Sequence, residues 1–183
     1  MRVAEGIDPF PLLQRLAGRE DLWNADPMRT TFEGSPHVQA DDILMRFDDG
    51  TAEEIIAKAD TDIGTRSWRP AWEMLPEARG MIVGLMARVG AYSLERVLIT
   101  RLKPGAEILP HADVRGAYAN LPDIARYHVV LQGLPGSLFH CGGETVCMET
   151  GSAWWFNAHQ PHACVNNSTE DRLHMLVDVR LFQ

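Results

Sequence analysis

Apolar positions change their spacing partway along this chain. Between Pro76 and Gly90, Ala78, Met81, Ile82, Leu85, Met86 and Val89 recur three and four residues apart, the spacing of one helical face. The pattern predicts a helix there, laid with its apolar stripe against a sheet. A shorter helix is predicted after Asp8-Pro9, because Asp is a favoured N-cap and Pro suits the first helical turn. Phe10, Leu12, Leu13 and Leu16 supply its apolar positions and Gly18 its stop. Residues 19–50 are mixed and loop-rich, except that 43–47 read as a strand closed by the turn signal Asp48-Asp49-Gly50. A helical or irregular stretch is expected over 53–59.

From Ser93 onward the pattern becomes a series of short β-type runs, 97–102, 126–131, 137–140, 145–148, 153–156 and 172–181. Gly and Pro turn residues such as Lys103-Pro-Gly105 and Gly133-Leu-Pro-Gly136 separate them. Short strands at near-regular intervals argue for a β-sandwich or barrel. The expected organisation is one domain, residues 1–183, with a helical and irregular part (1–92) dressing a β core (93–183).

Composition narrows the partners. With 183 residues, 45% of them hydrophobic, the chain is large enough to bury a substantial core. The formal charge of −8 disfavours a general nucleic-acid binder, which needs a basic face, and an anionic membrane surface. No apolar run approaches the ~20 residues of a membrane span. The start, Met1-Arg-Val-Ala-Glu-Gly6, lacks the apolar segment of a signal peptide, so the expectation is a cytoplasmic protein. Cys141, Cys147 and Cys164 are then read as free thiols.

Candidate chemistry lies in the C-terminal third. In His111-Ala-Asp113, two side chains two residues apart share one face of an extended strand. A further histidine follows in Asn157-Ala-His-Gln-Pro-His162, and Arg172 comes ten residues after His162. Two histidines and a carboxylate are the ligand set of non-haem Fe(II) oxygenases and leave three coordination positions open. A buried arginine on the next strand has the geometry to clamp a carboxylate through two parallel hydrogen bonds. On spacing alone, His159 and His162 compete for the distal position. Arg126 and His128 also share a face, as do Arg172, His174, Leu176 and Asp178.

Several blocks together, Arg101-Leu-Lys-Pro-Gly105, Pro110-His111, Arg126-Tyr-His128, Trp155-Phe-Asn157 through His162, and Arg172-Leu-His-Met-Leu-Val-Asp178, resemble the aspartyl/asparaginyl β-hydroxylases. The resemblance spans roughly residues 94–181. These are 2-oxoglutarate- and Fe(II)-dependent oxygenases with a double-stranded β-helix (jelly-roll, cupin-like) fold, so the resemblance implies Fe(II), 2-oxoglutarate and O2 as the reaction's participants. It implies His111 and His162 as metal ligands and Arg172 as the partner of the far carboxylate of 2-oxoglutarate. Arg126, His128 and Thr100 are implied as further co-substrate contacts. The animal enzymes lack the carboxylate ligand, whereas this chain carries Asp113 there, which makes a full triad expected and weakens the animal substrate as a guide.

The implied reaction hydroxylates a C–H bond of an amino-acid-like substrate, either a free amino acid or small metabolite or a peptidyl Asp or Asn, with release of succinate and CO2. Trp154, Trp155, Leu131 and Phe139 are available to wall such a site from water. Substrate selection is expected from Ser35-Pro-His37, Asp41, Asp42, Arg46, Trp68, Trp72 and Arg115, because loops at a barrel mouth carry specificity. His37, His140 and His174 are read as structural or exposed. Two alternatives stand: a cupin-type dioxygenase or isomerase that does not use 2-oxoglutarate, and a non-catalytic 2-oxoglutarate sensor. Arg172 separates the first, since cupin chemistry has no use for a carboxylate clamp. Fold alone does not decide among them.

Overall fold

The computed structural model describes residues 1–57, 64–113 and 123–182. Eleven strands are present among them: β1 (Arg2–Ala4), β2 (Ala40–Asp48), β3 (Arg66–Trp68), β4 (Ala91–Leu102), β5 (Glu107–His111), β6 (Ile124–Gln132), β7 (Ser137–Cys141), β8 (Glu144–Cys147), β9 (Ala153–Trp155), β10 (His162–Asn166) and β11 (Arg172–Leu181). Helices α1 (Phe10–Leu16), α2 (Met28–Thr31), α3 (Ala52–Ala57), α4 (Ala71–Met74) and α5 (Glu77–Val89) all precede β4. Every β run read from the sequence is found. Residues 58 and 59 of the expected 53–59 stretch lie outside the described residues, as does Arg115.

The strands form two antiparallel sheets, a major one in the order β1-β9-β6-β11-β4-β2-β3 and a minor one in the order β5-β10-β7-β8. This is a double-stranded β-helix, a jelly roll of two facing sheets. The major sheet reaches into the N-terminal half, because β2 pairs along β4 from Ala40↔Leu102 to Arg46↔Val97. The N-terminal half therefore does more than dress the core; it completes the larger sheet. Among the described residues no helix is long and apolar enough to cross a membrane.

Two apolar layers result. Behind the major sheet, Ile82 and Leu85 of α5 pack with Leu12 of α1 against Val97, Ile99, Val129, Leu131, Met175 and Val177. Pro76 starts α5 and Gly90, at φ 69°, ends it in the left-handed conformation that glycine adopts without strain. Helix α1 begins where the Phe10 N–H donates to the Asp8 carboxylate at 2.9 Å. Between the sheets lies a second layer with Leu102, Ile108, Val130, Phe139, Phe156 and Cys164. The strands β4, β6 and β11 thus alternate between an outer face that is apolar except for Arg101, which pairs with Glu20 and Asp41, and an inner face where Thr100, Arg126, His128, Arg172, His174 and Asp178 interrupt the apolar residues. That polar set inside a sandwich is the departure from ordinary core composition.

Candidate active site

His111 ends β5 and His162 begins β10, and the two are direct cross-strand partners. Their ring centroids are 4.3 Å apart. Asp113 lies two residues beyond the end of β5, so strand alternation does not hold it there. Instead its backbone N–H donates to the Ala158 carbonyl at 2.9 Å, tying it to the loop that leads into His162. The donor atoms of His111, Asp113 and His162 all lie within 4.8 Å of one another. His159, the competitor for the distal position, is exposed and borders a wider outer cleft that His111 and Asp113 also line.

The imidazole tautomers follow from the hydrogen bonds. His111 Nδ1 lies 2.8 Å from the Leu109 carbonyl and His162 Nδ1 lies 2.9 Å from the Gln160 carbonyl. A carbonyl only accepts, so both Nδ1 atoms carry the proton and both Nε2 atoms keep a lone pair, the arrangement in which a second partner fixes a metal-ligating ring. Burial holds both histidines below the ordinary imidazole range, partly offset by those carbonyls and by Asp113. Burial, the largest single influence, would raise the Asp113 carboxyl, but Arg126 together with His162, His111 and Arg96 leaves the group below the usual carboxylate range. The three groups therefore present two neutral imidazole nitrogens and an anionic oxygen, a donor set that fits a divalent metal ion.

A narrow inner pocket of about 30 Å3 lies between the sheets, bordered by Thr100, His128 and Arg172 from the major sheet and by Phe139, His162 and Cys164 from the minor one. Arg172 is 2% exposed. Its Nη2 donates to His174 Nδ1 at 3.0 Å, and its Nη1 has no hydrogen-bond partner. Because arginine can only donate, His174 Nδ1 is the acceptor there. His128 Nδ1, 3.2 Å from the same atom, is then the donor of that second contact. Burial, with the Arg172 charge adding to it, pushes both histidines well below the ordinary imidazole value. The Thr100 hydroxyl is also buried without a partner. An orphaned guanidinium nitrogen and hydroxyl in a pocket that His111 and His162 also border fit the carboxylate end of a small ligand.

Arg126 is placed differently from Arg172. Its Nε and Nη2 donate to the two Asp178 oxygens at 2.7 and 2.8 Å, and its Nη1 contacts Asp113. The side chain expected as a co-substrate contact thus spans two carboxylates, one of them in the donor triad. His174, expected as structural or exposed, is buried and hydrogen-bonded to Arg172, and Asp178 on the same face of β11 engages Arg126. The ring of His37 stands edge-on to His111 at 4.8 Å.

Other expectations sort by position. Phe139 and Phe156 pack edge-on to His128, and Phe156 also to His162, so they wall the inner pocket. Leu131 belongs to the outer layer behind the major sheet, and Trp155 is 38% exposed at the paired edge with β1. Pro36 and His37 border the outer cleft. Asp41 pairs with Arg101 and Lys103, and Trp68 stacks on Trp72 at 4.2 Å and under Arg46. Neither tryptophan borders the cleft. The three cysteines are free.

No curated protein matches the chain by sequence. A solved structure from Burkholderia pseudomallei, described as an oxidoreductase of the 2OG-Fe(II) oxygenase family, shares its fold with a TM-score of 0.52 at 15% identity, over 77% of this chain and 67% of that one. A predicted oxalate decarboxylase from Thermotoga maritima aligns with a TM-score of 0.38 at 17% identity, over 54% of this chain and 73% of that one. A cupin-superfamily sugar phosphate isomerase from Silicibacter pomeroyi aligns at 0.36 and 20%, over 52% and 56%. Residues 64–181 match the aspartyl/asparaginyl beta-hydroxylase family, a span that holds β3 to β11 and the donor triad; Arg29 and His37, which also border the inner pocket, precede it. The chain belongs to the aspartyl/asparaginyl β-hydroxylase family and is a hydroxylase-type oxygenase.

Proposed function

We propose that the protein is a 2-oxoglutarate- and Fe(II)-dependent dioxygenase in which His111, Asp113 and His162 hold the metal and Arg172 pairs with the far carboxylate of 2-oxoglutarate. The observation that carries this reading is Arg172: a guanidinium with an orphaned nitrogen, buried in a pocket that two of the three donor residues, His111 and His162, also border. A buried cation without a carboxylate is costly, and a ligand that brings one removes the cost. When bound, the metal and co-substrate supply the oxidising chemistry: 2-oxoglutarate and O2 become succinate and CO2, and one oxygen atom enters a substrate C–H bond to give C–OH.

The chain's own residues do the rest. The Leu109 and Gln160 carbonyls fix the two Nδ1–H tautomers and so aim Nε2 of His111 and His162. Three protein ligands leave positions for co-substrate and O2 that a closed four-ligand site would not. Thr100 and His128 lie beside Arg172 and contact the same carboxylate end. Phe139 and Phe156 keep water from the inner pocket, which strengthens the guanidinium–carboxylate pair by lowering the local dielectric. Arg126 holds Asp113 through its Nη1. The substrate is an amino-acid-like molecule or residue, and one catalytic domain spans the chain.

The test is anaerobic binding of Fe(II) and 2-oxoglutarate, read by the visible metal-to-ligand charge-transfer band. Wild type is expected to form it, Asp113→Ala and His162→Ala to lose or shift it, and Arg172→Ala to need far more 2-oxoglutarate. Iron binding without a 2-oxoglutarate band in wild type overturns the reading in favour of cupin-type chemistry.

A further inference from the structure

Beside the donor triad lies a cleft of about 510 Å3, the size of a small-molecule site. It shares Arg29, His37, His111, Arg126 and Leu176 with the inner pocket and is also bordered by Asp113, so a molecule in it lies against two of the three donor residues. Its floor belongs to a separate apolar cluster, Phe47 of β2, Leu98 of β4 and Leu176 of β11, with Met28 half-buried at the rim. Phe47, Leu98 and Leu176 are each less than 8% exposed.

Charge around this floor is already matched. Arg29 donates to both oxygens of Asp42 at 2.7 and 3.0 Å. Arg96 is paired with Asp48 and lies over the Phe47 ring at 5.1 Å. Arg126 bridges Asp178 and Asp113. Each guanidinium that borders the cleft among the described residues is therefore already paired with a carboxylate, Arg96 sharing Asp48 with Arg66. A substrate bearing a carboxylate next to the reacting carbon would bring a further anion to a desolvated wall whose cations are committed, and a carboxamide there would face Phe47, Leu98 and Leu176 with its hydrogen bonds unmade.

We propose that this cleft binds a small molecule through an aliphatic portion, and that the C–H bond presented to the metal site belongs to that portion and not to a carbon beside a carboxylate or carboxamide. The inference rests on the oxygenase reading above and deepens it. The substrate's polar end points outward, toward the exposed His159 at the cleft border.

The experiment uses the full chain loaded with Mn(II) and 2-oxoglutarate, with proton line broadening of added probes as the readout. The probes are L-leucine, L-norleucine and hexanoate, set against L-aspartate and L-asparagine. The terminal methyl protons of the apolar probes are expected to broaden severalfold more than their protons nearest the carboxylate, and the acidic and amide probes to broaden little. Met28→Gln, at the half-buried rim, and Leu98→Asn, on the floor, are expected to weaken apolar-probe binding at least fivefold with 2-oxoglutarate affinity unchanged. Specific broadening by L-aspartate or L-asparagine, or no broadening of any apolar probe while 2-oxoglutarate still binds, overturns the inference. Failure of 2-oxoglutarate itself to bind is a different result and removes the reading on which it rests.

Discussion

Replacing Arg172 by Met separates a co-substrate clamp from a structural arginine, because the two roles predict opposite signs. Arg172 is almost fully buried, gives one hydrogen bond to His174 and leaves Nη1 unpartnered. Exchanging a buried, imperfectly compensated charge for an apolar side chain of similar length is often stabilising by about 1–4 kcal/mol. Taking about 2 kcal/mol, the ligand-free Arg172→Met protein is expected to melt roughly 4–8 °C higher than wild type for a chain of this size. The same change removes a charge-assisted pair to the co-substrate, which costs about 3 kcal/mol when one partner of a buried pair is truncated, or roughly 150-fold in affinity. The assay is thermal melting of the Zn(II)-loaded protein against increasing 2-oxoglutarate. Wild type gains about 2.7 kcal/mol when the ligand is at 100 times its Kd, and the variant at that concentration gains almost nothing. A variant that melts lower without ligand and keeps the wild-type response to 2-oxoglutarate refutes the argument.

Four further outcomes are expected. Asp178→Asn takes from Arg126 one of its two carboxylates and leaves Asp113 as the other, so it is expected to cost about 1–2 kcal/mol in urea unfolding, the loss of a charge-assisted hydrogen bond. His162→Ala is expected to abolish the stabilisation by Co(II) seen in thermal melts while leaving the fold intact by circular dichroism. Burial depresses the folded-state values of His128 and His174, so the unfolded chain binds more protons below pH ~6.5; stability is complete above that pH and falls as pH drops below it. The slope is expected to reach up to about 1.4 kcal/mol per pH unit for each histidine and to shrink in His128→Phe, measured by urea unfolding between pH 7.5 and 5.5. At Gly133 a Cβ would sit 2.1 Å from the Met148 carbonyl oxygen, so Gly133→Ala is expected to destabilise by about 2 kcal/mol, typical of overpacking.

The site was legible unevenly. Alternation on β11 put Arg172, His174, Leu176 and Asp178 on one face, and the structure keeps them there. Which of them is held by protein partners and which keeps an unpartnered nitrogen was not readable, since it depends on the partner strands. His174 is engaged by Arg172 and His128, and Asp178 by Arg126 across β6. The pairing of Arg126 with Asp113 is likewise a contact between a strand and a distant loop, with no local signature. Asp113 reached its place by a different route from strand alternation, through its N–H bond to Ala158. His37 looked isolated because its neighbour His111 is far away in sequence.

Local periodicity determined what local forces govern: helix α5 from its three-and-four spacing and its Pro76 and Gly90 boundaries, the later strands from alternating apolar runs and turn residues, and the candidate ligands from side-chain chemistry. Those features depend on residues within a turn or two of one another, so one chain of letters suffices. The closing of β2 onto β4, the matching of Arg29, Arg96 and Arg126 to their carboxylates, the solitary position of Arg172 and the apolar floor of the outer cleft were decided only in three dimensions. Each depends on contacts between residues tens of positions apart, whose geometry is set when two sheets pack face to face and exclude water from between them.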